Sequence, residues 1–235
     1  MSLKGAFHTF LCHIPNMPPL VNVPKFESTQ SISHRVKNVL ATHGHRGVEL
    51  EFRLGRSFGN RFVSGVSKEG WTKITRALEK SHEFVSVPEL VTRESILSGG
   101  WKQVTFDNET VPPQWNHKQK VDTFEVLDIL PDSPWAVRAS LSLEKVEKCP
   151  PASVREGKVE PTGYVRNKKR LSYTYSCWSI DMTRVQSNLP GHDDETFEVE
   201  IELADQEAFF TYTVDHIVTW AQCLVKDMIE LASAA

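Results

Sequence analysis

From Val48 to Leu54 the chain alternates strictly between apolar and charged residues, as Val48-Glu49-Leu50-Glu51-Phe52-Arg53-Leu54. Near the other end Phe197-Glu198-Val199-Glu200-Ile201-Glu202-Leu203 does the same. Strand side chains point to opposite faces in turn, so Glu49, Glu51 and Arg53 share one face and the apolar residues the other. Glu198, Glu200 and Glu202 form a second such row. Glutamate is depleted in strands, and like charges on one face repel. A single row is most often the wetted side of an ordinary strand. Two rows in one chain point instead to a surface built to hold divalent cations.

The same period predicts further strands over 91–97, 101–107, 118–129, 135–146, 164–176 and 177–186, which with 48–54 and 196–203 make eight. Helical spacing appears over 28–42, over 67–81 with Ser67 as cap, and in a long C-terminal helix capped by Asp205. Residues 55–65 read as a loop, and the Pro- and Gly-bearing stretch 149–163 as the mobile connection. Residues 1–27 carry Pro15, Pro18, Pro19 and Pro24 and read as an extended arm, leaving 28–235 as a single domain. Eight mostly sequential antiparallel strands suffice to close a barrel and so remove both exposed edges. The predicted class is therefore mainly β (α+β): an eight-stranded antiparallel β-barrel or tunnel with supporting helices.

Composition narrows the function classes. With 235 residues, 40% hydrophobic and 24% charged, the chain has the balance of a soluble globular protein with a full core. A net charge of -3 gives no global attraction to nucleic acid or anionic membrane, so any basic site must be local. The four cysteines (Cys12, Cys149, Cys177, Cys223) are far apart and show no metal-ligand spacing, which argues for a reducing compartment and against a zinc site. No apolar run approaches a membrane span.

Parity sorts the polar faces of the remaining strands. Arg138, Ser140, Ser142 and Glu144 share one face; Lys168, Arg170, Ser172 and Thr174 another; Ser179, Asp181 and Thr183 a third. Lys118 or Lys120 adds a further cation. Pointed outward, these charges are simply solvated. Pointed into a tunnel, they would cost several kcal/mol per unpaired ion, roughly, unless paired with each other, with metal or with bound anion. A polyphosphate with its divalent cation would satisfy both sets, because carboxylate oxygens suit Mg2+ or Mn2+ and Arg or Lys suits phosphoryl oxygens.

Five segments in this order, Glu49–Gly55, Arg138–Glu144, Lys168–Tyr173, Trp178–Thr183 and Glu198–Leu203, resemble the triphosphate tunnel metalloenzymes, and more narrowly the mRNA-capping RNA triphosphatases of fungi, protists and some large DNA viruses. The resemblance implies an eight-stranded tunnel and metal-dependent removal of the γ-phosphate from 5'-triphosphate RNA. It implies that Glu49, Glu51, Glu198 and Glu200 hold Mn2+ or Mg2+, and that Glu202 orients or deprotonates the attacking water. Arg138, Lys168 and Arg170 would grip phosphate oxygens, Arg53 would brace the first glutamate row, and Asp181 and Thr183 would support the basic groups. The family often has arginine where Ser179 stands; Lys118 or Lys120 would compensate for that lost contact. Glu144 is the candidate for the family's further tunnel carboxylate. Implied partners are the 5'-triphosphate end of nascent RNA and an mRNA guanylyltransferase, with no membrane, in a monomer or homodimer acting in the nucleus, or in the cytoplasm for a cytoplasmic virus. Two other readings stand beside this one: a tunnel phosphohydrolase for inorganic triphosphate, thiamine triphosphate or nucleoside triphosphate, and a non-catalytic barrel that binds anions or nucleic acid.

Overall fold

The computed structural model describes residues 26–59, 61–127, 129–130, 133–188 and 195–233. Nearly all of the predicted arm, with Cys12, lies outside them. In chain order the elements are α1 (Ser28–His43), β1 (Val48–Phe58), β2 (Arg61–Ser64), α2 (Lys68–Lys80), β3 (Val85–Leu97), a 3-10 turn (Ser98–Gly100), β4 (Trp101–Phe106), β5 (Gln114–Val126), β6 (Ala136–Glu147), α3 (Ala152–Arg155), β7 (Pro161–Tyr175), β8 (Trp178–Ser187), β9 (Thr196–Leu203), α4 (Ala208–Thr211) and α5 (Val214–Ser233).

Every pairing is antiparallel. The order β2-β1-β6-β5-β4-β3-β7-β8-β9, with β1 also pairing β9, closes the sheet on itself. Since β2 pairs with β1 alone, the ring consists of the other eight strands, the predicted barrel. The seam carries Glu51 opposite Glu202, Phe52 opposite Ile201 and Arg53 opposite Glu200. The two glutamate rows thus become neighbours although seven of the nine strands lie between them in sequence.

The hydrophobic core lies outside this ring. Val48, Leu50, Phe52 and Leu54 of β1, Trp178, Ile180 and Met182 of β8, and Val199 and Ile201 of β9 are completely buried. They pack under α1, α2 and α5, whose Ile32, Val36, Ile74, Leu78, Ile217 and Val225 complete the same cluster. Burying a side chain of this size contributes about 1.5–3 kcal/mol. Dozens of such residues on one wall fix which strand face is apolar-out, and so turn the charged face inward. A one-residue slip of register would invert both faces at once.

Three expectations change. Residues 55–65 are a hairpin rather than a loop: β1 runs on to Phe58 and β2 returns beside it. Both sides of this hairpin are largely exposed, so no apolar alternation marked it. The C-terminal helix is broken in two. Asp205 does cap a turn, its Oδ1 accepting from Glu207 N at 2.9 Å, but that turn stops at an extended Tyr212. The Thr213 hydroxyl then accepts from His216 N at 3.3 Å at the start of α5. The connection at 149–163 contains the single turn α3. Ser67 caps α2 as predicted, accepting from Gly70 N at 3.1 Å. No helix among the described residues is long and apolar enough to cross a membrane.

Candidate active site

The inward face of β1 begins just after Gly47, whose φ of 75° lies in the left-handed region. A Cβ there would come within 2.8 Å of the Glu144 carbonyl oxygen, so the tight entry into the strand requires glycine. Glu49 follows, held by Ser142 Oγ at 3.0 Å and by Lys118 Nζ at 2.5 Å. Lys118 also reaches Glu51 Oε2 at 3.1 Å. Arg53 pairs through Nε with Glu51 and, at 2.8 Å, with Glu200 Oε1. Glu51 and Glu200 are 3% and 4% exposed.

Across β8 and β7 the cations alternate with carboxylates. Asp181 lies opposite Glu200 and Thr183 opposite Glu198. Asp181 accepts from Ser179 Oγ at 2.7 Å and pairs with Arg170 at 2.8 Å. Arg170 also donates from Nε to Thr183 Oγ1 at 3.3 Å. Arg166 grips Glu198 with both carboxylate oxygens at 2.8 and 3.0 Å. Lys168 Nζ sits 3.0 Å from Glu94 Oε2, and Lys102 Nζ 3.1 Å from Glu94 Oε1.

These pairs set the ionisation of the wall. Burial alone would raise Glu200, but Arg53, Arg170, Lys168 and Lys118 outweigh it and hold its carboxyl at about 2. Burial likewise opposes, and Lys168 and Lys102 overcome, to bring Glu94 to about 2. Glu51 goes the other way: burial and the adjacent Glu200 push it up in spite of Arg53 and Lys118. Glu202, with no ion pair among the described residues, is pushed up to about 8 by burial and by Glu49, Asp181 and Glu200. Burial lowers Lys168, with Glu94 opposing, and lowers Arg138, with Arg53 adding to the effect.

The tunnel wall therefore brings together Glu49, Glu51, Arg53, Lys168, Arg170, Asp181, Thr183, Glu198 and Glu200, and places Glu202 opposite Glu51. Arg138 pairs in register with Arg53 and is half-buried. Of the two lysine candidates, Lys118 makes the contacts. Lys120 falls at the bulge where Lys120 pairs with Ser142 and Asp122 with Leu141, and its side chain is exposed. Glu94, Lys102 and Arg166 were missed. Glu94 is buried among cations, whereas Glu144, the residue read as the further carboxylate, is half-buried and 4.0 Å from Lys102. The run Val91-Thr92-Arg93-Glu94-Ser95 shows no apolar–polar alternation, so parity could not flag Glu94. Arg166 precedes the Lys168–Arg170 run, in which only Lys169 faces out, exposed.

Whether this wall suits a divalent cation can be judged from its donors. They are all carboxylate oxygens, hard ligands of the kind Mg2+ and Mn2+ take. Glu51 and Glu202 are both pushed up, by burial first and by neighbouring carboxylates after it. Among the described residues no three such groups already converge as a cage; Lys118, Arg53 and Arg166 hold the carboxylates instead. The residues fit the ion chemically.

A closed antiparallel barrel whose core lies outside and whose interior is lined by interleaved carboxylates and guanidinium or ammonium groups defines a tunnel phosphohydrolase. The family model described as mRNA capping enzyme, beta chain, matches residues 103–217. The chain is 30% identical over 205 residues to a 5'RNA triphosphatase of Paramecium bursaria Chlorella virus 1, covering 85% of this chain and 97% of that one. The structure of the S. pombe RNA triphosphatase Pct1 superposes with a TM-score of 0.67 at 17% identity, over 92% of this chain and 98% of the other. The chain belongs to the mRNA-capping RNA triphosphatase family, and its activity is that of an RNA 5'-triphosphatase.

Proposed function

We propose that Glu49, Glu51, Glu198 and Glu200 hold Mn2+ or Mg2+ and that water attacks the γ-phosphorus in line, breaking its bond to the β–γ bridging oxygen and leaving a diphosphate-ended RNA and inorganic phosphate. The observation that carries this reading is the β1–β9 seam, which sets the two glutamate rows side by side on one buried wall. When bound, the metal supplies Lewis-acid neutralisation of charge on a phosphoryl oxygen.

The protein's own residues do the rest. Arg53, Lys168 and Arg170 take phosphoryl oxygens, exchanging carboxylate partners for phosphate ones by charge-assisted hydrogen bonds, and Arg138, which has no carboxylate to give up among the described residues, adds a further cation. Lys118 fills the cation role considered for Lys120. Glu202 accepts the proton of the attacking water; a carboxylate short of cations is a better base near neutral pH than an ordinary one. Asp181 and Thr183 orient Arg170. The protein supplies positioning and electrostatics, which is what phosphoryl transfer chiefly needs. The product end is the substrate a guanylyltransferase requires, so such an enzyme is the implied partner, in the nucleus or, for a virus that replicates there, in the cytoplasm. The protein would act as a monomer or homodimer.

A second substrate class follows from the lining, which meets the polyphosphate and no base: inorganic tripolyphosphate would enter the same tunnel. The test is release of phosphate from γ-labelled triphosphate RNA in Mn2+, Mg2+ or EDTA, for wild type, Glu51→Ala and Glu200→Ala. Metal-dependent release abolished by both substitutions is expected. Release that survives EDTA, or wild-type rates in both variants, would refute the metal-carboxylate mechanism.

A further inference from the structure

One part of the chain extends beyond the ring. β2 pairs only with β1, and β1 continues past its last partner in β6, where Gly55 faces Ala136. The hairpin therefore adds nothing to closure of the barrel. It carries the tunnel face of β1 outward, from Glu51 and Arg53 to Gly55 and Ser57, and Ser57 pairs with Phe62. The Phe62 ring folds back over this face: a Cβ on Gly55 would stand 2.5 Å from Phe62 Cζ and 2.3 Å from the Val63 carbonyl oxygen. Only glycine leaves room for the ring.

On that ring rests Arg138, its guanidinium carbon 4.4 Å from the centroid. Arg138 has no ion pair among the described residues, and its buried Nε has no hydrogen-bond partner. Glu125, opposite it in β5, instead accepts from Ser57 Oγ at 2.7 Å. At the far end of the hairpin, on the face opposite Phe62, Phe58 is 61% exposed and pairs with Arg61, also exposed. The bland explanation is that Phe62 merely braces Arg138. Bracing alone does not account for a guanidinium left, among the described residues, without an ion pair where the tunnel face runs outward.

Aromatic rings and guanidinium planes next to unpaired positive charge are the recognition chemistry of single-stranded RNA, whose bases stack on both. We propose that the β1–β2 hairpin receives the first nucleosides of the RNA as they leave the tunnel, with Phe62 and its stacked Arg138 as the platform for the first base. Phe58 and Arg61, on the hairpin's other face, take no part in it. The proposal rests on the tunnel-hydrolase reading above and adds what the tunnel lining lacks, a means of telling RNA from inorganic tripolyphosphate.

The experiment compares kcat/KM on a triphosphate-ended trinucleotide RNA and on inorganic tripolyphosphate for wild type, Phe62→Ala, Phe62→Tyr and Phe58→Ala. The RNA-to-tripolyphosphate ratio should fall at least about five-fold in F62A, the lower end of what one base–aromatic stack contributes. The loss should come through KM, and F62Y should keep the ratio. F58A, truncating an exposed ring on the other face, should leave it unchanged. Equal losses on both substrates would make Phe62 a brace for Arg138 and overturn the proposal, as would an unchanged ratio in F62A or an equal fall in F58A. A wild type that hydrolyses neither substrate with any metal would sink the hydrolase reading first, before any variant is compared, and this proposal with it.

Discussion

Glu51 and Glu202 stand directly opposite each other across the β1–β9 seam that closes the barrel. Their circumstances differ sharply. Glu51 is clasped by Arg53 and Lys118, whereas Glu202 makes no ion pair among the described residues. The pair is tolerated because Glu51 has cation partners and the half-buried Glu202 can hold its proton.

That asymmetry predicts how the metal-free protein responds to pH. The Glu202 carboxyl, ordinarily near 4.5, is pushed up to about 8 by burial first and by Glu49, Asp181 and Glu200 after it. Between those values the folded protein binds more protons than the unfolded chain, so its contribution to stability is fully present below 4.5 and is lost as pH rises towards 8. In EDTA, Glu202→Gln should flatten the fall in melting temperature over that window and raise the midpoint near pH 8, by about 2–4 °C per kcal/mol for a chain of this size. Thermal melts of both proteins from pH 5 to 9 decide it; parallel curves would mean that Glu202 titrates normally.

Glu94 should behave in the opposite sense. Lys168 and Lys102 outweigh burial and hold it at about 2, so its stabilisation is present above 4.5 and lost as pH falls towards 2. Glu94→Gln keeps the shape but strands two ammonium groups, which for a buried pair typically costs about 3–5 kcal/mol. Urea unfolding at pH 7 should show a loss of that order, shrinking when repeated at pH 3. An unchanged midpoint at pH 7 would show that the cluster is solvated in solution.

How these sites could be read from the sequence depended on period. The strands with an apolar outer face, β1, β8 and β9, declared both their extent and their inward residues, because Val, Leu, Ile, Phe and Trp on one side leave the charges no other face. Thr196–Leu203 is the predicted strand to the residue. Where the outer wall is not covered by a helix the signal faded. β3 begins at Val85, six residues before the predicted start. Exposed Val85, Val87 and Leu90 lie beside Ser86, Pro88 and Glu89, a mixture that burial does not select. Glu94 was invisible for the same reason, and the β1–β2 hairpin because neither of its faces joins the core. Lys118 and Lys120 share a parity, and only the bulge between them and Asp122 separates their surroundings.

In the proposed mechanism Lys118 supplies, next to Glu49 and Glu51, positive charge that a bound divalent cation would otherwise bring. Its ammonium is held well above the ordinary range: burial opposes this, but Glu51 and Glu49 prevail. Removing it should leave Glu49 and Glu51 more in need of a cation. Lys118→Met is expected to lower the melting temperature in EDTA and also to lower the Mn2+ concentration giving half-maximal activity, while KM for the triphosphate rises. A titration of activity against Mn2+ separates these effects. A higher metal requirement would show that Lys118 organises the carboxylates for the ion and does not compete with it.

Gln206 ties the exit of one glutamate strand to the entry of the other. It follows β9 by three residues, accepts from Gly47 N at 3.2 Å and donates to the Val48 carbonyl at 3.1 Å. These two bonds hold the backbone immediately before Glu49, at the point where Gly47 makes its constrained turn. Each is worth about 0.5–1.5 kcal/mol net, so Gln206→Ala should cost roughly 1–3 kcal/mol in urea unfolding. A larger functional consequence is expected. With the start of β1 loosened, the first glutamate row is less well placed, and the metal concentration for half-maximal activity should rise several-fold while KM at saturating metal changes little. Gln206→Glu keeps the acceptor for Gly47 N and loses the donor to Val48, so it should fall between wild type and Q206A in both measurements. If Q206A lost stability with no change in its metal requirement, the clamp would serve the fold alone and not the position of Glu49.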